Sequence, residues 1–397
     1  MSSPIGRHVL AELGGLPAAL LDDSAALEKA LRAALTGAGA TVRQVVAERF
    51  APQGVTVVAV LAESHASIHT WPELGSAYVD VFTCGDSADP VRAVADLAAA
   101  LGAGSCAVEV VERGAPGVVD EPISPGVTRR WRLDGVRVRA RTALQDVLVA
   151  DTAQGVTLFC DGERQSAEHT QLTYHEALFL PAALLAERRE RVLVIGSSEG
   201  VVSELAVTAG AIRVDHVDLD DECVRLCAEH LPYGYTPASL AAAERGEGPV
   251  RVHYADGRAF VRDTAESWDV IVVDLPDERP DEPDNQLNQL YTERFLRDCA
   301  ARLRPGGVVV SQAGSPAVWR DATLRAAWAR FGAVFGGRMY VGSPEHEWAF
   351  LCGTADPVPD PAEVAAGRLG ELSVPPRTLD ATDLRSHCVP PLALRSV

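Results

Sequence analysis

The densest group of reactive side chains lies between Glu63 and Cys84, where Ser64, two histidines and the cysteine fall within 21 residues. The predicted strand Val55–Leu61 ends just before Ser64, so a turn can direct the serine hydroxyl at the Glu63 carbonyl. That geometry permits an N-to-O acyl shift followed by elimination, which cleaves the chain between Glu63 and Ser64 and leaves a pyruvoyl group. His69 is suited to the proton transfers of the rearrangement, and Cys84 is suited to protonating the product carbon of a decarboxylation.

The lysine content of the chain narrows the chemistry further. Lys29 is the only lysine among 397 residues, and it lies on the solvent side of the predicted amphipathic helix Ser24–Leu35. Pyridoxal-phosphate decarboxylases and P-loop nucleotidases both need a lysine, so the composition disfavours both classes. A pyruvoyl ketone, by contrast, can react with an amine substrate without any lysine.

Composition restricts the partners. A formal net charge of -19 argues against nucleic acid, because phosphate binding needs clustered Lys and Arg. No apolar run approaches the ~20 residues that cross a bilayer, and residues 1–15 do not resemble a signal peptide, so we expect a cytoplasmic protein without a membrane partner. The eight cysteines include no Cys-x-x-Cys pair, so the sequence predicts neither a disulfide framework nor a metal site.

A second group of polar residues follows a series of apolar strands in the C-terminal half. The loop Gly196–Gly200 follows one strand, and Asp218 ends the next strand about 20 residues on, where a carboxylate can bind ribose hydroxyls. Asp256 ends a third strand, and Asp274 and Asp277 follow a fourth. Such a row of carboxylates suits a dicationic amine, from which Asp274 can take a proton, although strand-end aspartates also commonly cap helices.

The strands and helices that position the residues between Glu63 and Cys84 are predicted over residues 6–113. They form two related αβ halves on one sheet. The predicted strands and helices are Arg7–Leu13, Ser24–Leu35 (helix), Val42–Phe50, Val55–Leu61, Ala77–Phe82, Val91–Leu101 (helix) and Ala107–Val111. Residues 114–128 are rich in proline and glycine and predict a linker.

The remainder predicts a small β subdomain over 129–172 and a Rossmann-like, methyltransferase-type doubly wound sheet over 173–397. Its predicted strands, separated by helices, are Arg191–Ile195, Val214–Asp218, Val250–His253, Asp269–Asp274 and Val308–Gln312. The fold class is therefore α/β in two parts.

Residues 5–113 resemble the bacterial and archaeal type of S-adenosylmethionine decarboxylase. The resemblance rests on Glu63-Ser64-His65, on the stretch Ser67–Glu73, on Val79–Gly85 and on Phe50-Ala51-Pro52-Gln53-Gly54. It implies an αβ sandwich, and it implies roles for seven residues: Ser64 as the pyruvoyl precursor, Glu63 as its cleavage partner, His69 as the processing histidine, Cys84 as the catalytic acid, Phe50 as the adenine-stacking ring, Thr56 as a processing-site hydroxyl and Glu73 as a substrate contact.

The sequence departs from that family at two positions. Leu74 and Ser76 stand where members of the family commonly carry aromatic residues. Proteins similar to the family include some that decarboxylate ornithine or arginine. The resemblance therefore supports formation of the pyruvoyl group more strongly than recognition of S-adenosylmethionine.

Residues 129–397 resemble spermidine synthases and related aminopropyltransferases. The motifs that carry this resemblance are Asp161–Ser166, Tyr174-His175-Glu176, Val192–Gly196, Asp218-Leu219-Asp220, Asp256-Gly257, Asp274–Asp277, Leu290-Tyr291 and Gly306-Gly307 leading to Gln312. The resemblance implies donor contacts from Gln165, His175, Glu199, Asp218 and Asp256, acceptor contacts from Tyr174, Asp277 and Gln312, and Asp274 as the base.

This half departs further from its family. Ser197, Ser198 and Glu199 replace the usual glycine-rich loop, Thr170-Gln171 replaces an acidic pair, and the loop Glu278–Pro283 is atypical. A degenerate, non-catalytic module and a simple methyltransferase therefore stay open as alternatives.

The two resemblances together imply a bifunctional enzyme of polyamine biosynthesis. The first part would decarboxylate S-adenosylmethionine, and the second would transfer the aminopropyl group of the decarboxylated product to putrescine, releasing 5′-methylthioadenosine. An alternative is that the first part decarboxylates ornithine or arginine instead of S-adenosylmethionine. The implied cofactor is the covalent pyruvoyl group of Ser64. Because the first part is small, we expect a homo-oligomer to complete its site.

Overall fold

The computed structural model describes residues 6–85, 87–113 and 117–395, and the chain divides between Gly117 and Val118 into two compact units. Among these residues, no helix combines the length and the apolar character needed to span a membrane.

The N-terminal unit is a six-stranded antiparallel sheet in the order β2-β3-β4-β5-β1-β6. Its elements in chain order are β1 (Gly6–Gly14), α1 (Ala18–Leu21), α2 (Ser24–Gly37), β2 (Val42–Arg49), β3 (Val55–Leu61), β4 (Ser64–Trp71), a 3-10 turn (Pro72–Leu74), β5 (Ser76–Cys84), α3 (Pro90–Leu101) and β6 (Ser105–Arg113).

Helices α2 and α3 supply most of the helical side of the core of this unit. Asp23 caps α2 and Asp89 caps α3, in each case by accepting hydrogen bonds from two backbone N–H groups of the first turn. Helical spacing of leucines then buries one side of each helix against Ala66 and Ile68 of the sheet. The opposite side of the sheet, called here the open face, carries the exposed side chains of Leu10, Val58, Val60 and Tyr78.

The structure corrects two predictions in this region. Residues 64–71 form strand β4, where the sequence predicts no strand because serine and histidine interrupt the apolar alternation. Part of the predicted linker 114–128 is also regular, since Val118–Ser124 pairs with Val127–Arg132. Cross-strand pairing outweighs the two prolines within residues 118–125, because this two-stranded sheet leaves its outer edges free.

The C-terminal unit begins with strands in two antiparallel sheets, followed by a seven-stranded sheet in the order β15-β14-β13-β16-β17-β19-β18. The strands are β7 (Val118–Ser124), β8 (Val127–Arg132), β9 (Gly135–Arg141), β10 (Asp146–Thr152), β11 (Gly155–Cys160), β12 (Glu163–Ala167), β13 (Arg191–Gly196), β14 (Arg213–Asp218), β15 (Val250–Tyr254), β16 (Trp268–Asp274), β17 (Leu303–Gln312), β18 (Gly337–Gly342) and β19 (Ala349–Thr354).

The helices of this unit separate the strands of the large sheet and follow it to the C-terminus. They are α4 (Gln171–Leu185), α5 (Val201–Thr208), α6 (Asp221–His230), α7 (Pro237–Glu244), α8 (Gly257–Asp263), α9 (Glu293–Ala300), α10 (Ala322–Val334), α11 (Pro361–Gly367), α12 (Ala381–His387) and α13 (Leu392–Arg395), with 3-10 turns at Gln286–Tyr291 and Leu369–Glu371.

Strands β13 to β17 are parallel, whereas β18 and β19 pair antiparallel at one edge. Their side chains are buried on both faces, as expected for strands covered by helices on both sides. This confirms the predicted doubly wound sheet. Strand order reverses between β13 and β16, and that switch point lies at the carboxyl edge that carries the predicted aspartates.

Candidate active sites

The predicted cleavage bond lies at a tight hairpin. β3 ends at Leu61 and β4 begins at Ser64, so Ala62 and Glu63 alone form the connection. The Glu63 carboxylate accepts a hydrogen bond from the Thr41 backbone N–H at 3.0 Å, and this bond holds the pKa of Glu63 below its usual value. The hairpin therefore fixes the residue before the bond through its side chain.

The carbonyl of Glu63 is itself held from the neighbouring strand. The Cys84 backbone N–H donates to the Glu63 carbonyl oxygen at 3.2 Å, because Ser64 pairs with Thr83 in the β4–β5 ladder. Ser64 Oγ lies 3.1 Å from His65 Nδ1. The Ser64 hydroxyl thus contacts an imidazole, the carbonyl of the preceding residue accepts a hydrogen bond, and the half-buried Cys84 thiol belongs to the same end of the sheet.

Thr56 and His69 form a second group at the other end of the same strands. Their Oγ1 and Nδ1 atoms are 2.9 Å apart across the β3–β4 ladder, and His69 Nε2 lies 3.3 Å from Ser67 Oγ. Beyond this end, Glu73 accepts a hydrogen bond from the Gln53 side chain at 3.1 Å. The ring of Phe50, after β2, is 54% exposed and is available for stacking.

The N-terminal unit therefore does not bring all its predicted site residues together. Ser64 and His69 are five residues apart on one continuous strand, which separates their Cα atoms by about 16 Å at ~3.3 Å per residue. Ser64, Glu63 and Cys84 occupy one end, and Thr56, His69, Phe50 and Glu73 occupy the other. Closeness along the chain predicted a single site, but the extended strand separates its members.

The C-terminal unit has one large cavity of about 760 Å³ at the carboxyl edge of its parallel strands. Eight of the nine predicted site residues line it: Gln165, Tyr174, His175, Glu199, Asp218, Asp256, Asp274 and Gln312. The ninth, Asp277, lines an adjoining cavity of about 290 Å³ and contacts the Gln312 side chain.

The loop Gly196–Gly200 brings backbone close to the next strand. Gly196 has a φ of +80°, and a Cβ there would lie 2.1 Å from the Asp274 carbonyl oxygen, so only glycine fits. The Ser198 hydroxyl donates to the Asp218 carboxylate at 2.8 Å. Burial raises the pKa of Asp218 to about 7, and the Ser198 hydrogen bond partly opposes this shift. The substituted serine thus contacts the residue predicted to bind ribose.

Four polar groups meet at the centre of the cavity, of which His175 and Glu199 are buried and Tyr174 and Asp274 are partly buried. The Tyr174 hydroxyl donates to Asp274 at 2.7 Å. His175 uses Nδ1 to donate to the Gln171 carbonyl at 2.6 Å, so its Nε2 faces Glu199 at 3.5 Å and Asp274 at 3.9 Å. Burial raises the pKa of Glu199, and His175 partly opposes it. This arrangement presents carboxylates to a cation and offers Asp274 as a proton acceptor.

Asp256 has a structural role as well as a place on the cavity wall. Its side chain accepts from the Ala259 backbone N–H at 2.7 Å and caps α8. The helix-cap alternative given for strand-end aspartates therefore holds for Asp256. Burial raises the pKa of Asp277, whose neighbour Gln312 donates to it.

Sequence reasoning missed two groups in this unit. Arg279 pairs with Glu163 at 3.0 Å and lines both cavities, although its loop was noted only as atypical. The buried Arg164 contacts Glu347. The position of Arg164 next to Gln165 within the motif Asp161–Ser166 was the sequence signal that could have indicated it. These pairs link β12 to two loops that border the acidic cavity.

Comparison with known proteins matches each unit separately. The family model described as S-adenosylmethionine decarboxylase matches residues 7–114, and the model described as spermine/spermidine synthase domain matches residues 171–333. An S-adenosylmethionine decarboxylase proenzyme of Caldanaerobacter subterraneus subsp. tengcongensis is 45% identical over 119 residues, which cover 30% of this chain and 94% of that protein.

The polyamine aminopropyltransferase 2 of Pseudomonas aeruginosa is 36% identical over 228 residues, which cover 56% of this chain and 62% of that protein. Among solved structures, a spermidine synthase bound to the transition-state analogue AdoDATO has a TM-score of 0.61 at 17% identity, over 70% of this chain and 94% of that one. The spermidine synthase of Thermotoga maritima has a TM-score of 0.59 at 16% identity, over 70% and 93% of the two chains. These structures share the fold.

Proposed function

The chain belongs to the S-adenosylmethionine decarboxylase family and continues into a spermine/spermidine synthase domain, and from this premise we propose that it carries out two consecutive steps of polyamine biosynthesis. The first is decarboxylation of S-adenosylmethionine after self-cleavage at Ser64. The second is aminopropyl transfer from the decarboxylated product to putrescine. One observation carries the proposal: the Cys84 N–H donates a hydrogen bond to the carbonyl oxygen of Glu63, the residue that directly precedes Ser64.

Self-cleavage follows from that geometry. The Ser64 hydroxyl oxygen attacks the Glu63 carbonyl carbon, and the Cys84 N–H stabilises the negative charge that develops on the carbonyl oxygen. The peptide C–N bond breaks and leaves an ester and a free amine. Loss of the Cα proton of Ser64 then expels the Glu63 carboxylate, and water replaces the nitrogen as ammonia to leave the ketone.

The residues around Ser64 also fit the group that this reaction forms. The pyruvoyl group supplies an electrophilic carbonyl for the substrate amine. Cys84, half-buried at the end of β5, supplies the proton that the product carbon needs after carbon dioxide leaves.

In the C-terminal unit, the cavity suits a reaction between a sulfonium donor and an amine acceptor. The carbon next to a sulfonium is electrophilic, so the chain needs mainly to position the two substrates and to deprotonate the amine. Asp274, fixed by the Tyr174 hydroxyl, takes the proton as the new C–N bond forms and 5′-methylthioadenosine departs. Asp218 binds the donor ribose, while Asp277 and Gln312 bind the distal amine.

A homo-oligomer explains the separation of Ser64 from His69. The open face presents apolar side chains, of which Val60 is 46% exposed and Tyr78 is 44% exposed. A second copy packed on this face in the opposite direction would bring its Thr56 and His69 to the Ser64 hairpin. We therefore place the processing histidine in trans, which is consistent with the separation along β4.

Intact mass spectrometry and product analysis test the function. The full-length chain should yield fragments 1–63 and 64–397, the latter with the mass of a pyruvoyl terminus. Labelled S-adenosylmethionine should release carbon dioxide and, with putrescine, give labelled spermidine and 5′-methylthioadenosine. An uncleaved chain that releases no carbon dioxide would refute the decarboxylase step.

The same assay separates the alternatives that Leu74 and Ser76 raise. Carbon dioxide from labelled ornithine or arginine, but not from S-adenosylmethionine, would establish a different decarboxylase in the first unit. Failure of the second unit to bind 5′-methylthioadenosine in calorimetry would identify it as a non-catalytic module. The carbon dioxide assays report on the first unit alone and the titration reports on the second, so neither result depends on the other.

A further inference from the structure

The open face carries a compact cluster of potential metal ligands that the mechanism above does not use. His8 of β1, His65 of β4 and Asp80 of β5 each offer one ligand atom, and these atoms all lie within 4.8 Å of one another. His8 Nε2 contacts the Asp80 carboxylate directly. From this cluster we propose a binding site for a divalent transition-metal ion of the zinc type, formed by His8, His65 and Asp80.

Strand register and one small residue create the site. His8 and His65 both pair with Phe82, from opposite sides of β5, so a phenyl ring standing upright would separate the two imidazoles. The ring instead extends over Gly6, where an added Cβ would lie 2.5 Å from it, and its centroid lies 4.9 Å from the Arg113 guanidinium. The ring packs against both imidazoles, with its centroid 5.2 Å from that of His8 and 5.8 Å from that of His65, and the two imidazole centroids are 6.2 Å apart.

The donor atoms select the class of cation. Two imidazoles and one carboxylate match the nitrogen and oxygen ligands of Zn²⁺ and its neighbours in the first transition row, whereas Mg²⁺ and Ca²⁺ prefer oxygen alone. In the single chain, side-chain exposures of 19% for His8 and 35% for Asp80 leave room for the ion and for water as a further ligand. Pairing of two copies on the open face, as proposed above, would enclose this site between them.

The third ligand connects this site with the cleavage hairpin. His65 Nδ1 lies 3.1 Å from Ser64 Oγ, which leaves Nε2 for the ion. Because the other ring nitrogen of a metal-bound histidine is normally engaged by a partner, this contact suits a ligand. The site thus places a cation next to the serine proposed to be cleaved.

Metal titration of the full-length Ser64→Ala chain tests the site, because this variant keeps the bond between residues 63 and 64 intact. After chelator treatment and dialysis, we expect one equivalent of Zn²⁺ in calorimetry and a visible d–d spectrum with Co²⁺. Adding His8→Ala or Asp80→Asn should weaken binding at least tenfold. The matched control His169→Ala removes an exposed histidine of the C-terminal unit and should leave binding unchanged.

Two results would overturn the proposal: no ion bound by the Ser64→Ala chain, or binding that neither His8→Ala nor Asp80→Asn weakens. Circular dichroism verifies the fold of each variant, and the isosteric Asp80→Asn decides the matter if His8→Ala does not fold. Binding is measured without any turnover, so its failure leaves the proposed decarboxylation and aminopropyl transfer untouched.

Discussion

The two units of this chain use sheets of opposite type, and their polar residues are distributed accordingly. In the C-terminal unit, β13 to β17 are parallel, so the residues that follow each strand meet at one edge and line one cavity. In the N-terminal unit every neighbouring pair is antiparallel, and consecutive strands run in opposite directions. Residues close in sequence can therefore lie at opposite ends of the sheet.

This difference has a consequence for catalysis. A parallel edge gathers groups from distant parts of one chain, and Tyr174, His175, Glu199 and Asp274 are already within contact distance. The antiparallel hairpin provides Glu63, Ser64 and Cys84 but holds His69 about 16 Å along the strand from Ser64. We expect the first site to be shared between copies and the second to be contained in one chain.

The largest expected effect is the loss of cleavage in Ser64→Ala. Without the hydroxyl there is no nucleophile for the acyl shift, so intact mass spectrometry should show a single chain and no carbon dioxide should be released from S-adenosylmethionine. Aminopropyl transfer from supplied decarboxylated S-adenosylmethionine should continue. Ser105→Ala, which changes an exposed serine on β6, is the control and should be cleaved normally.

Complementation between two inactive variants tests whether the first site is shared. His69→Ala alone should remain uncleaved. In a mixed dimer with a differently tagged Ser64→Ala chain, the Ser64 of the His69→Ala chain meets the intact His69 of its partner and should be cleaved. With equal co-expression and random pairing, roughly half of the His69→Ala chains lie in mixed dimers, so roughly half should be cleaved. Cleavage that stays absent in the mixture would show that the two residues act within one chain. Both sites would then be contained in single chains.

Asp274→Asn addresses the second site. The amide keeps the size of the side chain but cannot take the proton of the attacking amine, so kcat for aminopropyl transfer should fall about 10²- to 10⁴-fold. Cleavage and decarboxylation should be unaffected. Asp263→Asn, at an exposed helix end, is the matched control, and equal losses in both variants would argue against a role for Asp274 as the base.

A smaller effect is expected from pH at the donor site. Because burial raises the pKa of Asp218 to about 7, its charged form predominates above that pH and is lost below it. If the carboxylate binds ribose, KM for the donor should rise by up to about tenfold per pH unit as the pH falls below the pKa. Decarboxylation by the first unit, assayed in parallel, should not follow this profile.

Ser198→Ala should shift that profile. The substitution removes a hydrogen bond to the charged carboxylate, so the pKa of Asp218 should rise further and the increase in KM should begin about half a unit to one unit higher. Asp218→Asn should abolish the dependence. A profile that stays the same in both variants would separate Asp218 from donor binding.

The sequence by itself determined the fold class and located the apolar strands and the helices with regular leucine spacing. Apolar runs bounded by turn residues located Val55–Leu61 and Arg191–Ile195, and regular leucine spacing located the helix at Ser24. It missed β4, because Ser64, His65, Ser67 and His69 break the apolar alternation that identifies a strand. Only pairing on both sides with β3 and β5 makes residues 64–71 extended.

For the sites, strand-end position was sufficient to select Asp218, Asp256, Asp274 and Asp277, because parallel topology converts a strand-end position into a shared edge. The family resemblance supplied the other residues of the C-terminal cavity, namely Gln165, Tyr174, His175, Glu199 and Gln312. Only the tertiary structure decided which side chains lie close together in space. Folding separates Ser64 from His69, places Ser198 on Asp218 and collects His8, His65 and Asp80 from three strands. The physical reason is that strand register and direction set distances between side chains, and neither depends on local sequence alone.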